Sequence, residues 1–290
     1  MPHIRLVTDS TAHFLNPDLV HRYDIAVVPL TIQVGNETFR EGIDITTDQL
    51  FNRRSGLDSF PSSSAPSPQQ FTALYREIAQ SGDSILSIHL SSKLGDVYHN
   101  ARLGAEPLRG RFNIQVIDSG AISVGLGWLV EEAARAAEAG MAADDIVRLV
   151  RGLSQKLYVI FFVDAPDYLA NSGRFGRAHS ILSGMLGVKP LLALEEGDLA
   201  PMEKVRNRQQ AVEKLIEFIM EFSNLEHTVI LQSTPQFTED TRMLLNQLAI
   251  DVPEHKFPIA VYGPTLATWL GPGAMGVMVL EDEPEEDRVV

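Results

Sequence analysis

The stretch SILSIHLSSKLG, residues 84–95, joins a buried-looking strand to a pair of serines and a glycine. Its first part, SILSIHL, has the near-continuous apolar character of a strand covered on both faces, as in parallel sheets. Three other runs read the same way: IRLV (4–7), FNIQVID (112–118) and LYVIFFV (157–163). The intervals between them leave room for crossovers, so the four runs predict a mostly parallel sheet. Helical patterns fill the intervals. Ser67 and Pro68 predict an N-cap and a first helical residue, with Phe71, Leu74, Tyr75 and Ile78 at helical spacing and a stop at Gly82. VGLGWLVEEAARAAEAG (124–140) predicts a second helix ending at Gly140.

Two segments depart from this alternation. Residues 24–46 are extended around a Gly35-Asn36 turn and read as an insertion between the first and second core strands. After about residue 165, two strand-like pieces flank the turn Glu196-Gly197-Asp198, followed by an amphipathic helix from Arg208. A strand at 227–233, a helix at 238–249 and strands at 255–263 and 276–281 complete a second unit. The expected fold class is therefore α/β: an N-terminal, mostly parallel α/β domain over 1–163 and a C-terminal α+β domain over 164–290, with a ligand between them.

Composition narrows the chemistry. The 290 residues are 44% apolar and 21% charged, enough to bury a sizeable core. With 38 acidic residues against 24 basic and a net charge of −14, the chain repels phosphate backbones, and no nucleic-acid partner is expected. The absence of cysteine excludes disulfides, thiolate metal sites and cysteine nucleophiles. The longest apolar runs, IAVVPL and LYVIFFV, fall short of the ~20 residues that span a bilayer, so no stable membrane insertion is expected. MPHIRLVTDS lacks the features of a signal peptide, and a cytoplasmic location is the resulting expectation. No P-loop, HExxH pair or GxSxG elbow is found, and GLG at 125–127 lacks the third glycine of a dinucleotide fingerprint. Neither a cofactor nor a metal is expected. His89, within a strand pattern, reads as a hydrogen-bonded structural residue.

The candidate site lies in the segments that leave the strand ends: TDST (8–11), SSKLG (91–95) and DSGAIS (118–123). In an open parallel sheet, ligands sit outside the carboxyl ends of the strands. Serine, threonine and aspartate are also the preferred helix caps, and each loop precedes a helix. A cap uses one side-chain oxygen, however, and Ser91-Ser92 leaves a hydroxyl over. Hydroxyls and free N–H groups at helix starts suit an anion or carboxylate, and Thr11 is counted with them. FPSSSAPSPQQF (60–71) adds more hydroxyls on a backbone restricted by prolines.

Taken together the motifs resemble the DegV family. VTDSTAHF (7–14), VVPLTI (27–32), EGIDI (41–45), SSSAPSPQQF (62–71), SIHLSSKL (87–94), VIDSGAISVGLGWLV (116–130), NSGRFGR (171–177), LGVKPLL (186–192), KVRNRQQAVEKL (204–215) and GPGAMG (271–276) occur in the family's order, across about residues 3–280. The resemblance implies a carrier that holds a long-chain fatty acid between its two domains and presents the carboxylate to a separate Dak-type fatty acid kinase. That kinase makes the acyl phosphate, which passes toward phospholipid synthesis. Carried over onto this chain, the resemblance places the carboxylate on Ser63, with Ser64 beside it, and on the pair Ser91-Ser92, Ser92 being favoured. Thr268, Trp269 and the Gly273 amide would close the site, with Arg174 near its mouth. Trp269 stands where the family has a histidine, and its indole can donate one hydrogen bond but cannot become cationic. Gly95-Asp96-Val97 replaces the family's Ser-Gly-Thr.

At ~0.8 kcal/mol per buried methylene, a tail of about sixteen carbons supplies on the order of 10 kcal/mol before entropic costs. A dry tunnel is therefore required, with Ile181, Leu182, Met185, Leu186, Leu191 and Leu192 as candidate lining. Lys204, Arg206 and Arg208 form a basic cluster expected to face the kinase. The alternative keeps the fold but makes the protein an enzyme on a small acyl or phosphorylated metabolite, with Asp9 or Asp118 as base.

Overall fold

The computed structural model describes residues 3–55, 59–173, 189–225 and 227–281. Strand β1 (Ile4–Asp9) pairs in parallel with β2 (Ala26–Val28), so part of the segment read as an insertion belongs to the core sheet. The insertion proper is a small antiparallel sheet of order β4-β3-β5, made of β3 (Thr31–Val34), β4 (Glu37–Arg40) and β5 (Ser62–Ser64). It has its own core of Ile32, Val34, Ile45 and Leu50. The chain then returns through β6 (Ser84–His89) and β7 (Asn113–Asp118) to give a four-stranded parallel sheet of order β2-β1-β6-β7. Leu6 pairs with Leu86 and Ile88 with Ile117, which fixes the register by aliphatic rows.

The second sheet corrects one expectation. It has six strands: β8 (Leu157–Phe162), β9 (Lys189–Glu195), β10 (Asp198–Val205), β11 (His227–Gln232), β12 (Ile259–Val261) and β13 (Met275–Leu280). Their order is β10-β9-β8-β13-β11-β12. LYVIFFV is thus an interior strand of this sheet, antiparallel to β13 and β9, and not a fourth strand of the parallel one. An apolar run buried on both faces has no periodicity that tells one sheet from the other. A division at 163/164 separates β8 from its sheet, and strand pairing moves the division to before Leu157.

Helices α1 (Asp18–Arg22), α2 (Thr47–Arg54), α3 (Pro68–Ile78), α4 (Val97–Ala105), α5 (Ser123–Glu138), α6 (Ala143–Ser154) and α7 (Pro166–Ser172) connect the first half. Ser67 and Gln70 form the full capping box at the start of α3, with Pro68 first in the helix. The helix ends at Ile78, short of Gly82. Helix α5 packs on β1 and on β13, so it is the layer shared by the two sheets. Every residue from Ser123 to Val130 is buried, which explains a helix apolar on all sides. Its GLG segment serves this packing. A Cβ on Gly127 would stand 2.1 Å from the His13 carbonyl oxygen, and one on Gly125 2.6 Å from Leu157 Cδ2.

Strand β8 of the six-stranded sheet alternates strictly. Val159 and Phe161 face the core that includes α5, whereas Ile160 and Phe162 join the core under helices Arg208–Ile219 and Glu239–Asp251. The same alternation places Leu192 in the first core and Leu191 in the second. These two neighbours therefore cannot line one tunnel, contrary to expectation. Ile181, Leu182, Met185, Leu186 and Arg174 lie outside the described residues.

Candidate functional site

The parallel sheet brings its three hydroxyl-bearing loops to the carboxyl ends of its strands, and those after β6 and β7 meet the β9–β10 turn. At the end of β1, the buried Asp9 carboxylate is surrounded. Its Oδ1 accepts from the Thr11 N–H at 3.1 Å and the Thr11 hydroxyl at 2.5 Å. Its Oδ2 accepts from the Leu90 N–H at 3.0 Å and lies 2.9 Å from His89 Nδ1. With Nδ1–H turned to Asp9, Nε2 accepts from Ser87 Oγ at 2.6 Å, and Ser87 in turn lies 2.8 Å from the Tyr75 hydroxyl. Burial raises the Tyr75 pKa well above the usual phenol range, which keeps it a donor. Ser87, His89 and Asp9 have the connectivity of a hydrolytic triad, but all three are fully buried. They tie β1 to β6, and His89 is structural, as its strand position predicts.

At the end of β6, the Ser91 hydroxyl donates to the Gly197 carbonyl at 2.6 Å, fastening the first sheet to the β9–β10 turn. Gly197 has φ +83°, and a Cβ there would stand 2.5 Å from Ser91 Oγ, so this turn requires glycine. Lys93 and Glu196 add an exposed ion pair of 3.4 Å. Asp118 at the end of β7 accepts from the N–H groups of Ser92 at 3.0 Å and Gly120 at 3.2 Å. Asp9 and Asp118 thus hold loops in place, Asp9 through both carboxylate oxygens and Asp118 through Oδ1. Ser92 itself is exposed.

The serine-rich segment contains a short strand. Ser62–Ser64 are β5, with Ser63 paired to Ile32 and Ser64 to Thr31. Because strand neighbours point to opposite faces, Ser63 and Ser64 cannot both turn to one ligand group from here. Ser63 is half-buried and Ser62 and Ser64 are exposed. Helix Pro264–Leu270 packs against this strand, which brings Thr268 and Trp269 into the same region. Trp269 is fully buried and part of the main core.

A hydroxyl has one proton to give. Thr11 donates to Asp9, Ser91 to Gly197 and Thr268 to the Thr265 carbonyl at 2.7 Å. The Gly273 N–H donates to Ser233 Oγ at 3.2 Å. In this arrangement these four groups serve as internal ties. Ser92 and Ser64 keep exposed hydroxyls, with Ser63 between the latter and Ser62.

The basic cluster also divides. Asn207 caps helix Arg208–Ile219, accepting from the Gln210 N–H at 2.9 Å, and turns Arg208 inward. There Arg208 pairs with Asp164 at 2.7 Å and with Asp240, donates to the Gly273 carbonyl at 3.1 Å and lies 5.5 Å over the Phe162 ring. Arg208 is therefore tied within the second unit by two carboxylates, with its side chain 35% exposed. Lys204 and Arg206 flank the buried Val205 and are exposed. Sequence reasoning gave no role to Glu41 and Thr265 and counted Ser10 only among the hydroxyls of TDST; the structure brings the three together, and a single acid after a strand has no periodic signal.

The fold and these loops define an α/β protein with two main sheets sharing a helix and a small third sheet, in which hydroxyl-bearing strand ends meet the second unit. The family described as "Uncharacterised protein, DegV family" matches residues 3–282, and the chain belongs to it. A DegV domain-containing protein of Streptomyces coelicolor is 33% identical over 282 residues, covering 96% of this chain and 98% of the relative. A Thermus thermophilus DegV family protein solved for its fatty acid binding is 30% identical, with a TM-score of 0.85, covering 97% of this chain and 100% of that one. The fatty acid kinase (Fak) B3 protein of Streptococcus pneumoniae, solved loaded with linoleic acid, shares the fold at 18% identity and a TM-score of 0.79, covering 97% and 100%. Among the described residues no helix is long and apolar enough to cross a membrane. None of their His, Asp and Glu side chains form a cluster able to hold a metal.

Proposed function

We propose that this protein binds a long-chain fatty acid, with the carboxylate held by Ser92 and Ser63 and the tail in an apolar tunnel between the two units. The observation that carries the reading is the end-to-end likeness to the Thermus thermophilus protein, together with the serines of β5 and of the loop after β6 in this chain. Hydroxyls suit this ligand because they donate to a carboxylate without adding a buried countercharge. The molecule acts as a carrier in the cytoplasm and needs no cofactor beyond its lipid. Ser92→Ala removes one hydrogen bond to a charged group, worth about 1.5–3 kcal/mol, and is expected to weaken lipid binding roughly ten- to hundredfold. Adding Ser63→Ala is expected to weaken it further. Lipid occupancy equal to wild type in the double variant would place the carboxylate elsewhere.

The carrier presents its lipid to a separate Dak-type fatty acid kinase, with Lys204 and Arg206 as the docking charges. Their exposure on an otherwise acidic chain, and the fold shared with the Fak B3 protein, support this part. Reversing both to glutamate is expected to reduce kinase binding most at low salt, with lipid occupancy unchanged. Undiminished binding at all salt concentrations would exclude this face.

A further inference from the structure

Glu41 follows β4 directly and is only 2% exposed. Three distant segments meet at its carboxyl. Oε1 accepts from the Thr265 N–H at 2.6 Å, and Oε2 lies 2.7 Å from the Ser10 hydroxyl and 2.8 Å from the Thr265 hydroxyl; both donate to the ionised carboxyl, and the Ser10 oxygen can accept the proton of the neutral one. Ser10 Oγ in turn accepts from the Leu30 N–H at 2.9 Å. Helix Pro264–Leu270 begins at Gly263 without a side-chain cap of its own, so Glu41 supplies an acceptor that its first turn lacks. A Cβ on Gly263 would stand 3.2 Å from Oε1, so glycine leaves room for the contact. Thr47, donating to the Tyr262 carbonyl at 2.5 Å, is the neighbouring tie between the insertion and this end of the helix.

No cation balances this carboxyl among the described residues. The helix segment PTLATWL has no charged side chain, and the Leu30 segment brings none. Arg40, next to Glu41 in sequence, is turned to Asp44 at 2.8 Å. The ionisable group that acts on Glu41 is Asp9, a like charge, itself bonded to His89.

We propose that Glu41 is a proton-dependent clasp: protonated, it holds helix Pro264–Leu270 against the first unit, and ionised, it eases the helix away and speeds lipid exchange. Glu41 is a positioning residue, since it acts through the helix that packs on the serine strand. The lipid half of the proposal rests on the fatty-acid reading; the clasp does not.

The direction comes from linkage. Burial, reinforced by Asp9, outweighs the donated hydrogen bonds and pushes the Glu41 pKa up to about 7. Opening returns the carboxyl to water and its ordinary range. Between that range and about 7, the closed form holds a proton that the open form releases, so opening becomes easier as pH rises and levels off above. From pH 6 to pH 8 the opening equilibrium rises about tenfold.

Hydrogen exchange of the 265–270 amides, corrected for intrinsic rates, tests this in the full chain, with release of cis-parinaric acid followed in parallel. Wild type is expected to open about tenfold more at pH 8 than at pH 6, and Glu41→Gln to show no pH dependence. An equal slope in both proteins overturns the clasp. Thr265→Val removes one donor to the ionised form and is expected to move the levelling-off to higher pH; an unmoved profile also overturns it. Release that tracks opening supports the coupling to lipid. Opening with the expected slope but no parinaric acid uptake at any pH overturns the fatty-acid reading and the lipid half, and supports the clasp alone.

Discussion

Gly127→Ala is expected to destabilise the protein by about 3 kcal/mol or more, read as a lower urea midpoint, although the same change in an exposed helix would stabilise by about 1 kcal/mol. The reason is the neighbour. The added methyl would stand 2.1 Å from the His13 carbonyl oxygen, and a backbone held by its own pairing cannot step aside as a side chain can. His13 is fixed by donating its N–H to the Ser123 carbonyl at 3.0 Å, so relief requires moving the α5 start or the β1 loop. Gly125→Ala is the control, because its closest contact is the end of the Leu157 side chain at 2.6 Å, which can change rotamer. A cost of about 1 kcal/mol is expected there. Equal midpoints for the two variants would show that α5 is not the close-packed layer between the sheets.

Asp9→Ala is expected to cost about 3–5 kcal/mol, since it removes one partner from a buried network and leaves the others in place. The Leu90 N–H, the Thr11 N–H and hydroxyl, and His89 Nδ1–H would all face a dry cavity. Asp9→Asn keeps the shape and an acceptor but offers an N–H₂ where one oxygen accepted, and a smaller loss is expected. Thermal melts of both variants measure the difference. An alanine variant within about 1 kcal/mol of wild type would mean that water or rearranged hydroxyls answer these donors, and would reopen Asp9 to a chemical role.

What the sequence discloses depends on how local its cause is. The strands at Ile4, Ser84 and Phe112 and the capped start at Ser67 arise from neighbours in sequence, and they appear as read, within a residue or two. LYVIFFV was legible as a strand but not as a member of the second sheet, because that depends on partners more than 25 residues away, β9 and β13. Ser62–Ser64 has weak strand propensity and is extended because Ser63 pairs with Ile32, a residue buried in the insertion core. Arg208 belonged, by position, with Lys204 and Arg206; the acids that turn it inward, Asp164 and Asp240, are remote in sequence and met only in the fold. The site hydroxyls were legible as a set, but which protons remain available was not. That depends on acceptors such as the Gly197 carbonyl, supplied by the opposite unit.

The central claim is that this molecule holds a long-chain fatty acid. Denaturing mass spectrometry of an organic extract from purified protein, with molar quantitation of fatty acid, tests it most directly. The account predicts close to one long-chain fatty acid per chain, or one taken up when fatty acid is offered in excess. Protein that stays free of fatty acid under both conditions would contradict it.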